Sequence, residues 1–141
     1  ANKEKELHLA LIHRMFEDYE ACISSLHLAM DEALAAYKKA LELSPNNAQL
    51  MVDYADLLAF QNKSIRGEPM RLIQKALQLE PNNLKALALG GTASFELGDF
   101  KKAEDYWTKA KNLVPADSEF ARGMTENIAS AKAEAANQVK K

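Results

Sequence analysis

The sequence has little of the residue types that stop helices or cross-link chains. Its 141 residues include one cysteine, four prolines, five glycines and one tryptophan. The lone Cys22 excludes an intramolecular disulfide and does not distinguish an oxidising from a reducing compartment. Because proline and glycine are scarce and Ala, Leu, Glu and Lys are abundant, the composition favours helix over strand and argues against long disorder. We therefore expect one all-α domain.

Long apolar runs and an excess of positive charge are also missing. The longest apolar stretch, Leu7 to Ile12, already contains His8, and it is far shorter than the roughly 20 residues that cross a bilayer. Eighteen Lys and Arg oppose twenty Asp and Glu, which leaves a net charge of -2. The sequence therefore predicts no direct membrane contact by this segment and no nucleic-acid partner.

An internal repeat is the strongest pattern that is present. KKALELSPNN (residues 38–47) and QKALQLEPNN (residues 74–83) share seven of ten positions, and TKAKNLVPAD (residues 108–117) keeps the Lys, Ala, Leu and Pro. Because proline lacks an amide proton, each of Pro45, Pro81 and Pro115 predicts the end of a helix. Asn47, Asn83 and Asp117 are then predicted to cap the following helix.

The spacing and the residue pattern resemble the tetratricopeptide repeat (TPR), with the last unit the closest match. Leu87, Gly91, Ala103 and Trp107 occupy the apolar, small and aromatic places of that repeat, and Gly98-Asp99 supplies its turn. The resemblance implies helical hairpins stacked in a right-handed superhelix with a C-terminal capping helix. We expect a single TPR domain over 1–141, divided into an irregular first hairpin (1–45), two repeats (46–81 and 82–115) and a capping helix (116–141).

The N-terminal region is predicted to be helical but joins the repeats unusually. Apolar residues from Leu7 to Leu26, including Cys22, form an approximate 3.6-residue stripe, which favours burial of Cys22 as a small hydrophobic residue. His27, Leu28 and Ala29 occupy the expected turn although none is a turn former. Either the first hairpin is joined tightly or irregularly, or the sequence lacks a loop there.

No residue pattern predicts catalysis, a metal or a cofactor. His8 and His13 are five residues apart and do not share a helix face as residues three or four apart do. Gly90-Gly91-Thr92 lacks the strand-to-helix context of a phosphate loop, and the carboxylates lack a convergent His or Lys. We predict no enzyme, no metal site, no haem ligand and no cofactor.

A binding groove is implied by the TPR resemblance, in which the first helix of each hairpin faces a ligand peptide. The alternative is that some of these side chains pack against the terminal helices. The inward positions correspond to Gln49, Val52, Asp56, Ala59 and Phe60 in the middle unit and to Lys85, Ala88, Thr92, Phe95 and Glu96 in the last.

One known TPR function is disfavoured by particular residues. Co-chaperones that bind the C-terminal carboxylate of heat-shock proteins use Lys and Asn at inward positions. This sequence has Asp53 and Asp56 where Asn is expected, and Leu89 where the last unit should be basic. Only Lys85 remains, and a ligand carboxylate would be repelled by the aspartates.

Residues 54–115 resemble the periplasmic TPR domain of bacterial c-type cytochrome maturation factors, the NrfG and CycH type of haem-lyase accessory subunit. The resemblance rests on YAD in the first helix, a lengthened loop before RLIQKALQLEP, and ALALGGTASFELGDFKKAEDYW. It implies a non-catalytic scaffold that holds the C-terminal segment of an apocytochrome c for haem attachment, with haem-lyase subunits as further partners. It also implies a periplasmic domain tethered to the inner membrane by an upstream segment. The alternative is a generic TPR adaptor for another complex.

Overall fold

The computed structural model describes residues 2–140, and within that range every regular element is a helix. The chain divides into two compact units, one ending at Ala36 and the other beginning at Tyr37. None of the helices in residues 2–140 has the length and apolar character that a membrane span requires. The helices are α1 (Asn2–Leu43), α2 (Ala48–Asn62), α3 (Glu68–Leu79), α4 (Leu84–Glu96), α5 (Phe100–Asn112) and α6 (Glu119–Val139).

Helix α1 corrects the prediction of a first hairpin. It runs without interruption through His27, Leu28 and Ala29, where the turn was expected. These residues carry no helix breaker, so the helix propagates through them. The apolar stripe of the N-terminal unit is exposed, and the prediction that Cys22 is buried is wrong, since its side chain is exposed.

The predicted repeats each contain one helical hairpin. Helix α2 packs on α3, helix α4 packs on α5, and α3 contacts α4 between them. The predicted caps at the first two junctions are present, because the Asn47 side chain accepts from the backbone N–H of Leu50 and the Asn83 side chain accepts from that of Ala86. Each cap provides an acceptor for an amide that has no partner within its helix.

The turns inside the two hairpins differ. Gly98 has a positive φ of 79°, and Asp99 then caps α5 by accepting from the backbone N–H of Lys102. The loop from Lys63 to Gly67 is longer, and its central residue Ile65 is only 3% exposed. Ile65 packs with Ala55 of α2 and Ala93 of α4, so this loop contributes to the core between the hairpins.

The core of the second unit consists mainly of small residues around a few large ones. Met51 and Val52 pack with alanines from α2, α3 and α4. Leu87 and Trp107 pack with residues of α5 and α6. Gly91 allows α4 and α5 to approach, because a Cβ at this position would overlap the indole ring of Trp107. The indole Nε1–H donates to the Ala88 carbonyl oxygen at 3.0 Å.

Helix α6 covers the last hairpin as predicted, with Met124 and Ala131 buried against the α4–α5 core. Its predicted cap, Asp117, is wrong by one residue. The Ser118 side chain accepts from the backbone N–H of Ala121 and donates to the Pro115 carbonyl oxygen at 2.7 Å. The third junction therefore has one more residue before its helix than the first two junctions, and a serine at that position performs the capping.

Candidate functional site

The candidate site is the face that α2 and α4 present side by side, which we call the α2–α4 face. Its centre is Lys85, near the start of α4. The Lys85 Nζ lies 3.0 Å from Asp53 Oδ1 and 3.0 Å from Asp56 Oδ2. Both aspartates are on α2, so the lysine joins the first helices of two successive repeats.

The charges around Lys85 make this region acidic rather than basic. Two carboxylates surround one ammonium group, which leaves a net negative charge if all three groups are ionised. Partial burial acts to lower the pKa of Lys85, but hydrogen bonds to Asp56 and Asp53 outweigh it and raise the pKa above its ordinary value. Lys85 therefore stays protonated at neutral pH, and its charge is committed to the protein's own carboxylates.

A chain of polar side chains extends the same face toward the start of both helices. Gln49 Nε2 donates to Asp53 Oδ1 at 3.0 Å, and Asn83 Nδ2 donates to Gln49 Oε1 at 3.0 Å. The oxygen of the Asn83 side chain meanwhile caps α4. Asn83 therefore holds the Gln49 side chain and also caps α4. These two bonds fix the position of Asn83 in the network.

Three predicted apolar groove residues are buried or partly buried in the core. Val52 is 0% exposed and lies within the α2–α3–α4 core, so its inclusion in the groove is wrong. Ala88 and Phe95 are partly buried against the α4–α5–α6 core. The Phe95 ring stacks edge-on against Phe100 with centroids 5.0 Å apart. Ala88 and Phe95 share their cluster with Met124 and Ala131 of α6, which agrees with the alternative that some inward side chains pack against a terminal helix.

Phe60 is the large apolar side chain of the predicted groove that remains open. It lies near the end of α2 and is 71% exposed. Ala59 beside it is partly buried. Thr92 is exposed on α4, with its hydroxyl donating to the Ala88 carbonyl oxygen one turn earlier. Phe60 is therefore the side chain on this helix with the most apolar area left to offer a ligand.

Glu96, the last predicted groove residue, serves the loop between α2 and α3. Its carboxylate accepts from the backbone N–H of Ile65 at 3.4 Å, and its carbonyl oxygen accepts from Arg66 Nη2 at 2.8 Å. The structure therefore separates Glu96 from the Lys85 network and gives it a role in holding the loop against α4.

The groove predicted from the sequence left out Asn83, and it included Asp53 only as a departure from the carboxylate-binding pattern. Asp53 lies four residues after Gln49, a spacing that puts both side chains on the same helix face. That signal was available in the sequence. The pairing of Asn83 with Gln49 had no such signal, because it joins residues of different repeats.

The three histidines and Cys22 all lie in α1. Within residues 2–140, no group of three or more His, Cys, Asp or Glu side chains has an arrangement that could hold a metal ion.

The pKa of the Tyr54 hydroxyl is raised above its ordinary value. Burial is the larger cause, and the nearby charge of Glu68 is the smaller one.

Comparisons with known proteins agree with a TPR fold. Residues 23–121 match the family model described as cytochrome c-type biogenesis protein H TPR domain. The chain is 31% identical over 101 residues to the putative cytochrome c-type biogenesis protein CcmH of Haemophilus influenzae, which covers 71% of this chain and 22% of that protein. It is 32% identical over 82 residues to the formate-dependent nitrite reductase complex subunit NrfG of Escherichia coli O157:H7, covering 57% and 41% respectively.

A similar solved structure is the first TPR of Spaghetti (RPAP3) bound to the HSP90 peptide SRMEEVD. It has a TM-score of 0.63 and 25% identity, and the likeness covers 74% of this chain and 81% of that one. The chain spans less than half the length of the two bacterial relatives. These likenesses support a protein-binding adaptor in a class of domains that are generally non-catalytic scaffolds, and the chain belongs to the TPR-domain family of cytochrome c-type biogenesis protein H.

Proposed function

We propose that this domain is a non-catalytic scaffold that holds the C-terminal segment of an apocytochrome c for haem attachment during c-type cytochrome maturation. The observation that carries the proposal is the family match over residues 23–121. Haem-lyase subunits are its proposed further partners. The proposed location is the periplasm, with membrane attachment in a longer protein, and fractionation of that protein with a periplasmic marker tests it.

The chemistry of the α2–α4 face supports a neutral or cationic peptide over an acidic one. The related RPAP3 domain is bound to SRMEEVD, a peptide with three acidic residues at its end. In this chain Lys85 is already paired with Asp53 and Asp56, so an incoming carboxylate would have to displace one of them. Phe60 offers apolar contact area beside this network, and an amphipathic peptide helix uses such contacts.

Calorimetric titration with C-terminal apocytochrome c peptides tests the proposal. We expect saturable binding that Phe60→Ala weakens by about tenfold, the effect of removing one large contact side chain. Leu113→Ala is the matched control, because Leu113 is also exposed but follows α5, outside the α2–α4 face. If several such peptides fail to bind, or if both variants weaken binding equally, the proposal is wrong.

A charge variant tests the preference against acidic peptides. Asp53→Asn with Asp56→Asn leaves Lys85 without a carboxylate partner on α2, and we expect this variant to gain affinity for an acidic peptide such as SRMEEVD. The wild-type chain should bind that peptide at least tenfold more weakly than the variant. Tight binding of SRMEEVD by the wild type would contradict the inference from Lys85.

A generic TPR adaptor is the second candidate. It is favoured by a 33% identity over 85 residues to the human mitochondrial import receptor subunit TOM70, which covers 60% of this chain and 14% of that protein. This alternative is supported if the chain binds none of the apocytochrome c peptides but binds a specific protein partner.

A further inference from the structure

Within residues 2–140, the last part of α1 corresponds to the second helix of a hairpin, and no separate first helix precedes it. In the two complete hairpins, α2 covers α3 and α4 covers α5, and the matching positions of the covered helices are buried. The equivalent positions of α1, counted back from Pro45, are only partly buried. The buried sets are Pro69, Ile73 and Ala76 in α3 and Ala103, Trp107 and Ala110 in α5, and the α1 set is Ala33, Tyr37 and Ala40.

The residues that could form the missing helix lie earlier in α1 itself. Within the first unit, α1 continues through residues 27–29 without a turn, so the residues before 27 do not fold back onto residues 30–36. From Leu9 to Ala40, the first and fourth places of every seven-residue period are apolar, which is the pattern of a helix that packs along another helix. In this subsection we call these first and fourth places the stripe. Its large side chains before the expected turn are Leu9, Ile12, Phe16, Tyr19, Ile23 and Leu26.

We propose that two copies of this chain associate through their α1 helices, antiparallel about residues 27–29, so that each copy supplies the missing first helix of the other. In this arrangement Leu26 lies opposite Met30 of the second copy, Ile23 opposite Ala33, and Tyr19 opposite Tyr37. In a closed hairpin these contacts form within one chain, whereas in the proposed exchange they form between two chains.

The pattern of α1 argues for a second copy as the occupant of this stripe. An antiparallel pair places the first position of one period against the fourth position of the other, and the stripe supplies apolar residues for this on both sides of residue 28.

The exposed area is also sufficient for a stable dimer. Ile12, Phe16, Tyr19 and Leu26 are 55–64% exposed. With about 100 Å² buried by each, in two copies, and a similar area on the surfaces they cover, the interface buries on the order of 1,600 Å². Stable protein–protein interfaces begin at about 1,200 Å².

A pair of neighbouring substitutions tests the association in sedimentation velocity experiments on the full chain. Ile23→Glu places a charge in the stripe, whereas Ser24→Glu places the same charge about 100° around the helix. We expect the wild type and Ser24→Glu to be dimers and Ile23→Glu to dissociate at least tenfold more readily. A monomeric wild type at high concentration would overturn the proposal and leave the stripe to a different protein. Equal dissociation of both variants would also overturn it.

Cross-linking with a short phenylene bis-maleimide tests the orientation. A chain carrying only Cys22 is mixed and refolded with a Cys22→Ser, Ala36→Cys chain. The proposed pairing places Cys22 near position 36 of the second copy, and two Cys22 residues about 18 Å apart along the axis. We expect cross-linking between unlike chains and none between two Cys22 residues, whereas Cys22–Cys22 cross-linking would show a parallel pair.

A single chain carrying Cys22 and Ala36→Cys distinguishes exchange from closure. If α1 exchanges, the product on a denaturing gel is a dimer. If the chain bends at residues 27–29 and closes on itself, the product is an internally linked monomer, which overturns the proposal. None of these outcomes bears on apocytochrome binding, so this inference and the proposed function stand or fall separately.

Discussion

The close approach of α4 and α5 at Gly91 gives the sharpest test of the packing. In Gly91→Ala, the new Cβ would overlap the indole ring of Trp107. The ring is almost fully buried and donates to the Ala88 carbonyl oxygen, so it has little room to move. Overpacking of this kind costs about 1–3 kcal/mol, and distortion of the indole hydrogen bond costs about 1 kcal/mol more.

Helix propensity acts in the opposite direction, because Ala is about 1 kcal/mol better than Gly inside a helix. We therefore expect Gly91→Ala to lower the free energy of unfolding by about 1–3 kcal/mol. Two other helical glycines serve as controls. A Cβ at Gly90 meets the Tyr106 ring at an ordinary 3.5 Å, and a Cβ at Gly123 meets nothing within 4 Å. These two variants should be neutral or up to about 1 kcal/mol more stable.

The assay is urea unfolding followed by circular dichroism for the three variants and the wild type. A double variant, Gly91→Ala with Trp107→Leu, should cost less than the sum of its single changes, because removing the indole removes the overlap. If Gly91→Ala is as stable as Gly90→Ala, the argument from close helix approach is refuted. Additivity in the double variant would refute the assignment of the cost to Trp107.

Three further predictions concern caps and titration. In the same unfolding assay, Ser118→Ala should lower the free energy of unfolding by about 1 kcal/mol, because Ser118 caps α6. Asp117→Ala should lower it by much less, and the reverse order of the two costs would show that Asp117 is the cap. Asn83→Ala should cost more than Asn47→Ala in unfolding free energy, because Asn83 also donates to Gln49; equal costs would show that the inter-repeat bond contributes nothing. The pKa values of Tyr54 and Lys85 are raised in the folded chain, so the folded state holds protons that the unfolded state loses. Stability from both groups is complete below their unfolded pKa values of 10.0 and 10.5 and decreases as the pH rises through the folded values. Tyr54→Phe should reduce this alkaline loss in pH-dependent unfolding measurements, and an unchanged slope would contradict the role of Tyr54.

The repeats were predictable because their signals are local. Pro45 and Pro81 follow the ends of helices, and Asn47 and Asn83 cap the next helices through hydrogen bonds that span three residues. The family pattern also identified Gly91 as a small position, and in the structure a Cβ there would overlap the indole ring of Trp107. The site was less predictable, because burial of Val52 and pairing of Asn83 with Gln49 depend on how successive helices meet.

The N-terminal region was mispredicted for a different reason. Periodicity shows which face of a helix is apolar, but it does not show what covers that face. The stripe from Leu7 to Leu26 was read as half of a closed hairpin, whereas α1 continues through residues 27–29. Without a glycine or proline to end the helix, the local preference of these residues determined the outcome.

The loop between α2 and α3 limits how freely these repeats can be exchanged in protein engineering. Its buried Ile65 and the bonds from Ile65 and Arg66 to Glu96 connect one repeat to the next. A designer who replaced residues 46–81 with a consensus unit of 34 residues would shorten this loop and lose an inter-repeat brace as well as two residues. The repeats of this chain are therefore adapted to their neighbours, and their order along the chain is part of what makes the array stable.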